Sequence, residues 1–246
     1  MPIAGKTDTG KLRKMNEDAF FAERIDNIYL AVVCDGVGGA KGGNVASSTA
    51  VRECVESFRK SVEQYKNYEG ALASAVHDAN EAVFLKAVAR PELRGMGTTI
   101  VAFVFDLEAR EYFAANVGDS RLYLINDKSF TLTQITKDHS LVQKMVDDGF
   151  LTKEQAAASS KKNIITRVLG TDEDVDIDIF KGKHESGIYL LCSDGLNDYV
   201  AESDIIKYVA QYVDLEHCVG ELIAKANENG GGDNITAVAV KPSFNN

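Results

Sequence analysis

Four aspartates in this sequence border strongly apolar runs, where folding can bring acidic side chains together. Three follow such a run and one precedes it: Asp35 follows residues 28–34, Asp119 follows 112–117 with one glycine between, Asp194 follows 188–192 with one serine between, and Asp233 comes just before 235–240. A single Asp-Gly pair is usually only a turn. Four acidic turns are harder to explain in that way, because the central strands of one core end close together and their carboxylates can converge.

Such a group of carboxylates would repel itself and raise its own pKa values. A divalent cation removes that repulsion, and ligands that are all oxygen favour a hard ion such as Mg²⁺ or Mn²⁺. The four histidines form no HxH or HExxH pattern, which disfavours a zinc site. The sequence therefore predicts a metal site built from carboxylates.

Two neighbouring segments carry further candidate groups. Residues 36–43 are rich in glycine, so their backbone can approach a ligand closely, but they lack the Gly-Lys-Ser/Thr of a phosphate-binding P-loop. Residues 7–18, taken alone, are typical of a polar turn in solvent. Beside a metal site they could supply Arg13 as a bidentate phosphate clamp, with Glu17 and Asp18 as acids outside the ligand sphere.

The elements that must position these groups are strands and amphipathic helices. Runs of Val, Ile, Phe and Tyr predict strands over 28–34, 98–105, 111–117, 121–125, 188–192 and 235–240. Helical periodicity predicts helices over 44–64, 70–89, 140–148, 203–212 and 215–228. The three strands between 98 and 126 predict an antiparallel meander. Because strands come in runs and helices in pairs, antiparallel sheets covered by helices are favoured over a doubly wound parallel fold.

Composition excludes several classes of function. The 246 residues carry 27 Lys and Arg against 37 Asp and Glu, a net charge of −10, which argues against a nucleic-acid partner. The N-terminus lacks an apolar signal segment, and no apolar run is long enough for a membrane segment. The four widely spaced cysteines include Cys34 and Cys192 inside apolar runs, which predicts reduced, buried thiols. The expected location is cytoplasmic.

A series of motifs in fixed order makes the reading more specific. Along the chain come TDTGKLRKMNEDAF, VVCDGVGGAKGG, RGMGTT, NVGDSRLYL, KDHSLV, ITRVLG, LLCSDGLND and GGGDNITAVAV. This series resembles the metal-dependent serine/threonine protein phosphatases of type 2C, the PPM family, and most closely the compact bacterial members. Each motif alone is weak, but the whole order from Thr7 to Val240 matches that family.

The resemblance implies an α+β fold. It is a β-sandwich of two antiparallel sheets flanked by antiparallel helix pairs, in four αββα layers, with a helical flap near the active site. One catalytic domain would span residues 1–246, with the flap at about 137–166. Residues 159–163 of this flap depart from the His-Pro often found there, which leaves flap conformation and substrate choice open.

The resemblance also implies roles for individual residues. Two Mn²⁺ or Mg²⁺ ions would be bridged by Asp35, with a third, weaker ion nearby. The matched positions are Asp35, the carbonyl of Gly36, Asp194 and Asp233 as metal ligands, Asp119 as ligand of the third ion, Asp18 and Glu17 as holders of metal-bound water, and Arg13 as the phosphate-binding arginine.

The implied reaction is hydrolysis of phosphoserine or phosphothreonine by direct attack of a metal-bridging hydroxide, without a covalent phosphoenzyme. Some relatives carry a histidine after the Asp-Gly as a candidate general acid, but Val37 stands here and the proton donor stays unassigned. The implied partners are phosphorylated proteins and a bacterial serine/threonine kinase whose action is reversed. The chain is expected to be a monomer.

Other classes fit the sequence less well. None of the four cysteines begins a Cys-x5-Arg motif, Ser193 lacks the Gly-x-Ser-x-Gly surround, and residues 172–183 lack the Gly and Glu of a calcium-binding EF-hand. The alternating acids at 172–178 instead predict a solvated edge strand. Two alternatives remain: a catalytically silent regulatory module that binds phosphoproteins, and a phosphatase for small phosphorylated metabolites.

Overall fold

The computed structural model describes residues 1–37, 42–65 and 67–244. The strands are β1 Ile3–Asp8, β2 Asp18–Ile25, β3 Ile28–Val37, β4 Gly97–Thr98, β5 Ile100–Asp106, β6 Glu111–Val117, β7 Arg121–Asn126, β8 Thr131–Gln134, β9 Asp178–Lys183, β10 Ile188–Cys192 and β11 Ile235–Val240. The helices are α1 Gly43–Tyr65, α2 Tyr68–Ala89, α3 Leu141–Asp147, α4 Lys153–Ala157, α5 Asp194–Asn197, α6 Glu202–Gln211 and α7 Leu215–Glu228, with a short 3₁₀ turn at Pro91–Leu93.

The strands form two antiparallel sheets. One runs in the order β1-β11-β10-β7-β8, and the other runs β2-β3-β5-β6-β9 with β4 added beside β3. Strand β1 pairs with β11 from Ile3 opposite Val240 to Asp8 opposite Ile235, so sequence-distant ends share one sheet. The predicted pair of antiparallel sheets is confirmed.

Three apolar layers hold the elements together. The layer between the sheets contains Tyr29, Phe103 and Phe105 from one sheet with Tyr189 and Leu191 from the other. A second layer fills the space between the six-stranded sheet and α1 and α2. A third lies between the five-stranded sheet and helices α6 and α7. The four-layer αββα arrangement predicted from the resemblance is therefore confirmed.

The cysteines belong to these outer layers. All four are free and buried, as predicted for Cys34 and Cys192. Cys34 packs in the layer beneath α1 and α2, and Cys192 packs beneath α6 and α7. Burial raises the pKa of the Cys34 thiol well above its usual value and that of Cys192 to about 12, so both are protonated at neutral pH.

The predicted meander between 98 and 126 is wrong. Strands β5 and β6 pair with each other, but β7 pairs with β10 and β8 in the opposite sheet. The chain crosses between the sheets at Gly118, whose φ of +110 lies in the region that favours glycine. A Cβ at this position would stand 2.6 Å from the side chain of Thr99, so the crossing also needs the missing side chain.

Two further local predictions are wrong. Asp35-Gly36 is no turn, because β3 continues to Val37 and pairs with β4, with Gly36 opposite Thr98. The acidic segment 172–178 forms a strand only from Asp178 onward. Before that, Asn80 of α2 donates hydrogen bonds to the carbonyls of Asp172 and Glu173, which holds the segment as a loop. The glycine-rich prediction at 36–43 falls partly on residues 38–41, outside the described residues.

In the described part of the chain, no helix is both long and apolar enough to cross a lipid bilayer.

Candidate metal and phosphate site

The carboxylates meet where the two sheets approach each other. Asp18 opens β2 and lies directly opposite Asp35 in the β2–β3 register. Its Oδ2 accepts hydrogen bonds from Ser193 Oγ at 2.7 Å and Thr236 Oγ1 at 2.6 Å. Thr236 lies on β11 of the other sheet. Ser193 follows the end of β10 in that sheet and directly precedes Asp194. One buried side chain of β2 thus ties both sheets together beside two candidate ligands.

The backbone around Asp35 is fixed on both sides. Its N–H donates to Thr99 Oγ1 at 3.0 Å, and its carbonyl accepts from Thr99 N at 2.9 Å and from Thr98 Oγ1 at 2.9 Å. Gly36 N–H donates to the Glu17 carbonyl at 3.1 Å. A Cβ on Gly36 would lie 2.2 Å from the carbonyl oxygen of Gly43, so no larger residue fits there.

Crowding of negative charge is reflected in the pKa values. The pKa of Asp35 is raised well above its usual range, first because the protein excludes water from it and then because of Asp18, Asp194, Asp119 and Asp233. The pKa of Asp194 is raised for the same two reasons. Burial raises the pKa of Asp18 and of Asp119 to about 6. Without a cation these acids therefore resist ionisation.

The carboxylates also leave polar atoms without partners. Within the described residues, one oxygen each of Asp18, Asp119 and Asp194, the Oδ1 atom, is buried with no hydrogen-bond partner. Buried acceptors without partners are costly, since each has lost its water. Cations supply the partner that these oxygens lack, and an all-oxygen donor set suits Mn²⁺ or Mg²⁺.

The carboxylates lie near one another but are not arranged as a sphere of metal ligands. Among residues 1–37, 42–65 and 67–244, no group of three or more His, Cys, Asp or Glu is arranged so that it could hold a metal ion. Some of the carboxylate oxygens are engaged within the protein: Asp233 Oδ2 accepts from Arg13, and Asp18 Oδ2 accepts from Ser193 and Thr236. A carboxylate oxygen that accepts one hydrogen bond keeps a further lone pair, so Asp233 can hold Arg13 and bind a cation at the same time.

Arg13 lies on the loop between β1 and β2, directly against the turn that carries Asp233. Its Nη2 donates to Asp233 Oδ2 at 2.7 Å, and its Nε donates to the carbonyl of Gly232 at 3.4 Å. Close backbone contact fixes this pairing, because a Cβ on Gly10 would lie 2.0 Å from the Asp233 carbonyl oxygen. The side chain of Arg13 is 48% exposed, so it can also meet a ligand from solvent.

Asn234 connects Glu17, the last of the predicted site residues, to the turn that carries Asp233. Its Oδ1 accepts from the backbone N–H of Glu17 at 2.8 Å, while its Nδ2 donates to the carbonyls of Thr9 and Met15. The Glu17 carboxylate lies against Gly43 at the start of α1, where a Cβ on Gly43 would be 2.7 Å from Glu17 Oε1. Glu17 is thus placed at the border of the cluster. The roles of all these residues as ligands stay predictions.

The flap prediction at 137–166 coincides with helices α3 and α4. Its two ends are joined, since Ser140 and Ile165 form an antiparallel bridge and Thr166 N–H donates to the His139 carbonyl at 2.8 Å. Lys162 Nζ lies 2.7 Å from Asp198 Oδ2, just after the helix that begins at Asp194. The segment is therefore attached to the site at both its stem and its far side.

His139 is a residue that the sequence reading missed. Its Nδ1 accepts the backbone N–H of Gly118 at 3.0 Å, immediately before Asp119. Its Nε2 lies 3.2 Å from Asp178 Oδ2 and 3.0 Å from Arg167 Nη1. Burial lowers the pKa of His139, so the neutral ring with an acceptor Nδ1 is favoured. The KDHSLV motif was the available signal, but the partners of its histidine are distant in sequence.

Replacing His139 tests whether it positions the turn that carries Asp119. We expect His139→Asn to retain most activity, because Asn Oδ1 can accept from Gly118 N–H at the place of Nδ1. His139→Leu leaves that buried donor unpaired, at about 1–3 kcal/mol of unfolding free energy. The Mn²⁺ concentration for half-maximal activity should rise in the Leu variant only. Equal Mn²⁺ dependence in the wild type and both variants would contradict a positioning role.

Comparisons with known proteins extend over this whole framework. A family model described as Protein phosphatase 2C matches residues 11–225. The serine/threonine phosphatase stp of Listeria monocytogenes is 36% identical over 240 residues, 96% of this chain and 94% of that protein. The crystal structure of Stp1 from Staphylococcus aureus, at 34% identity, has a TM-score of 0.87 and covers 98% of this chain and 94% of its own.

A further solved structure contains metal. The catalytic domain of the phosphatase PstP in complex with two manganese ions is 33% identical to this chain, with a TM-score of 0.84, covering 97% of this chain and 96% of that one.

Proposed function

The chain belongs to the protein phosphatase 2C family of metal-dependent serine/threonine phosphatases, and from that premise we propose how its own residues carry out the reaction. The substrates are proteins that carry phosphoserine or phosphothreonine. Water attacks phosphorus directly, and no phosphorylated residue of the enzyme is formed. The single observation that carries this proposal is the convergence, beside Asp233, of four aspartates whose raised pKa values or unpaired buried oxygens call for cations, namely Asp18, Asp35, Asp119 and Asp194.

The residues that would hold two cations are Asp35, Asp194 and Asp233 with the carbonyl of Gly36, and Asp119 would hold a weaker third. Asp18 and Glu17 would orient coordinated water. When bound, two Mn²⁺ or Mg²⁺ ions lower the pKa of an attacking water and offset charge on the transferring phosphoryl group. The unpaired Oδ1 atoms of Asp18, Asp119 and Asp194 support this assignment.

Asp18 keeps the site in one arrangement while the reaction proceeds. Its Oδ2 is held by Ser193 and Thr236, so only Oδ1 is available for a proton or a water. An oriented carboxylate of this kind fixes the direction of an attacking water, which lowers the entropic part of the barrier.

Arg13 binds the substrate phosphate. Its guanidinium is anchored by Asp233 and Gly232, and its partial exposure leaves donors directed to solvent. A planar guanidinium pairs with two phosphate oxygens at once, so it both orients the ester and offsets its charge in the transition state. We do not assign His139 as the proton donor, because its Nδ1 accepts from Gly118 and its Nε2 lies against Asp178.

One catalytic domain spans residues 1–246 with a flap at 137–166, and the β1–β11 pairing supports this unity. The enzyme acts as a cytoplasmic monomer and reverses a bacterial serine/threonine kinase.

Metal removal tests the function. With Mn²⁺ we expect hydrolysis of p-nitrophenyl phosphate and of a phosphothreonine peptide. EDTA should lower both rates by about a hundredfold or more, because the cations supply several kcal/mol of transition-state stabilisation. Excess Mn²⁺ should restore them. The measurement is initial rate against free Mn²⁺.

Three results would contradict the proposal in different ways. Full activity in EDTA removes the metal mechanism. Cleavage of sugar phosphates but of no phosphopeptide indicates a phosphatase for small metabolites. A folded chain whose melting temperature rises with Mn²⁺, but which cleaves neither substrate, indicates a regulatory module.

A further inference from the structure

The loop that carries Arg13 presents large apolar side chains to solvent. Leu12 is 75% exposed and Met15 is 49% exposed, one residue before Arg13 and two residues after it. Single exposed apolar residues are common and need no explanation. Two on one short loop, on both sides of the phosphate-binding arginine, are a candidate contact surface.

The exposure of these side chains is imposed by the backbone. The N–H groups of Lys11 and Leu12 donate to the Gly231 carbonyl at 2.7 and 3.2 Å, and the Met15 carbonyl accepts from Asn234 Nδ2 at 3.0 Å. A loop held in this way cannot fold its apolar side chains back onto the core. A fixed surface also loses little entropy when a ligand covers it.

The charge of the loop differs from that of the chain. Between Asp8 and Glu17 it carries Lys11, Arg13 and Lys14 and no acid, whereas the whole chain has a net charge of −10. In the described ranges, neither Lys11 nor Lys14 takes part in an ion pair. The surface is therefore complementary to an acidic partner that also has apolar side chains.

The flap continues this apolar character. Phe150 is 74% exposed and Ile164 is 46% exposed. Of the nine exposed large apolar residues in the described part of the chain, these two, Leu12 and Met15 are four. The flap is attached beside the helix that starts at Asp194 through Lys162 and Asp198. Exposed apolar side chains thus concentrate on the two segments that adjoin the site.

We propose that the loop 11–15 binds the peptide chain flanking the phosphorylated residue and selects segments with a large apolar side chain within two residues of it, in an acidic context. This inference rests on the proposed phosphatase activity and names its preferred substrates. The scale fits: an extended peptide advances about 3.4 Å per residue, and Leu12 and Met15 lie within about 8 Å of Arg13 along the loop.

Wild-type enzyme with Mn²⁺ is compared on two acidic phosphothreonine peptides that differ only in Leu or Ser on both sides of the phosphothreonine. We expect kcat/KM to be about fivefold to tenfold higher for the Leu peptide, as for partial burial of one or two apolar side chains. Hydrolysis of p-nitrophenyl phosphate is measured in parallel. Equal kcat/KM for both peptides, with p-nitrophenyl phosphate cleaved, overturns this inference alone. Failure on all three substrates overturns the proposed function as well.

A double variant tests the assigned residues. Leu12→Ser with Met15→Ser should reduce the Leu-to-Ser ratio of kcat/KM to about one, whereas the control Val213→Ser, an exposed valine after α6, should keep the wild-type ratio. An unchanged ratio in the double variant overturns the assignment. So does a dimer by light scattering that the double variant turns into monomer, because the surface would then be covered by a second copy.

Discussion

Asp35→Asn and Asp194→Asn are each expected to lower kcat by about 1,000-fold, while raising the melting temperature of the metal-free protein by a few degrees. Activity falls because each variant removes a carboxylate that would hold a cation. Stability rises because the neutral amide removes charge from a place where burial, and then neighbouring aspartates, raise the pKa of Asp35 and of Asp194. Loss of function and gain of stability in one substitution distinguish a ligand from a structural residue.

The stability gain should depend on pH in a defined direction. The folded-state pKa of Asp194 is raised above its unfolded value of 3.8. Ionising the Asp194 carboxyl in the folded protein therefore lowers the free energy of unfolding. This loss of stability is absent below the unfolded pKa and grows as the pH rises toward the folded pKa. Asn carries no charge at any pH and avoids the loss. The difference in melting temperature between Asp194→Asn and wild type should be larger at pH 7.5 than at pH 4.5, both measured in EDTA.

Mn²⁺ provides the complementary measurement. It should raise the melting temperature of the wild type at pH 7.5 and have little effect on either Asn variant, since binding to the folded state alone stabilises it. Asp174→Asn is the matched control, because Asp174 is 92% exposed and away from the cluster. If Asp194→Asn keeps both the wild-type rate and the wild-type Mn²⁺ shift, Asp194 is no ligand.

Arg13→Ala is the second substitution with a large expected effect, lowering kcat/KM for aryl phosphate and phosphopeptide by about 10–100-fold. Charge-assisted hydrogen bonds to phosphate are worth about 1.5–3 kcal/mol, and more of that is realised as charge develops in the transition state. Arg13→Lys should have a kcat/KM between those of the wild type and Arg13→Ala, because lysine keeps the charge but cannot form the two parallel bonds of a guanidinium. Inhibition by inorganic phosphate should weaken by a similar factor.

Arg59→Ala serves as the control for general charge effects. Arg59 is an exposed arginine of α1 that lies 3.5 Å from Glu23 and outside the site. It should leave kcat/KM and phosphate inhibition within about twofold of the wild type. Unchanged phosphate inhibition in Arg13→Ala would place the phosphate elsewhere.

The strands that the sequence predicted lie inside the two sheets, with a neighbouring strand on each side. Strands β3, β10 and β11, for example, are almost wholly buried, so nearly all of their residues are apolar and the sequence clearly predicts a strand. The strands that were missed are the edges of the two sheets, namely β1 and β8 of one and β2 and β9 of the other. An edge strand is half solvated, so polar residues such as Lys6 and Thr133 interrupt its apolar pattern.

The residues of the site also divide into those that the sequence predicts and those that it does not. Asp35, Asp194 and Asp233 could be predicted to converge because each adjoins a central strand. The crossing at Gly118 could not, because short breaks in sequence look alike whether the next strand joins the same sheet or the opposite one. His139 depends on contacts with Gly118, Arg167 and Asp178, which only the folded chain brings together.

The burial of Cys34 and Cys192 close to two of the carboxylates has a consequence for which metals the site can accept. Cys34 precedes Asp35 and Cys192 lies two residues before Asp194, yet both sulfurs point into the apolar layers beneath the helices. Cys34 and Asp35 are successive residues of β3 and face opposite ways, whereas Asp194 lies past the end of β10 at the start of α5, so the carboxylates can reach the site while the thiols do not. Soft ions such as Cu⁺ therefore find no thiolate among these ligands. The same burial protects the thiols from peroxide and alkylating reagents, so catalysis here should withstand oxidative conditions that inactivate enzymes with a reactive cysteine.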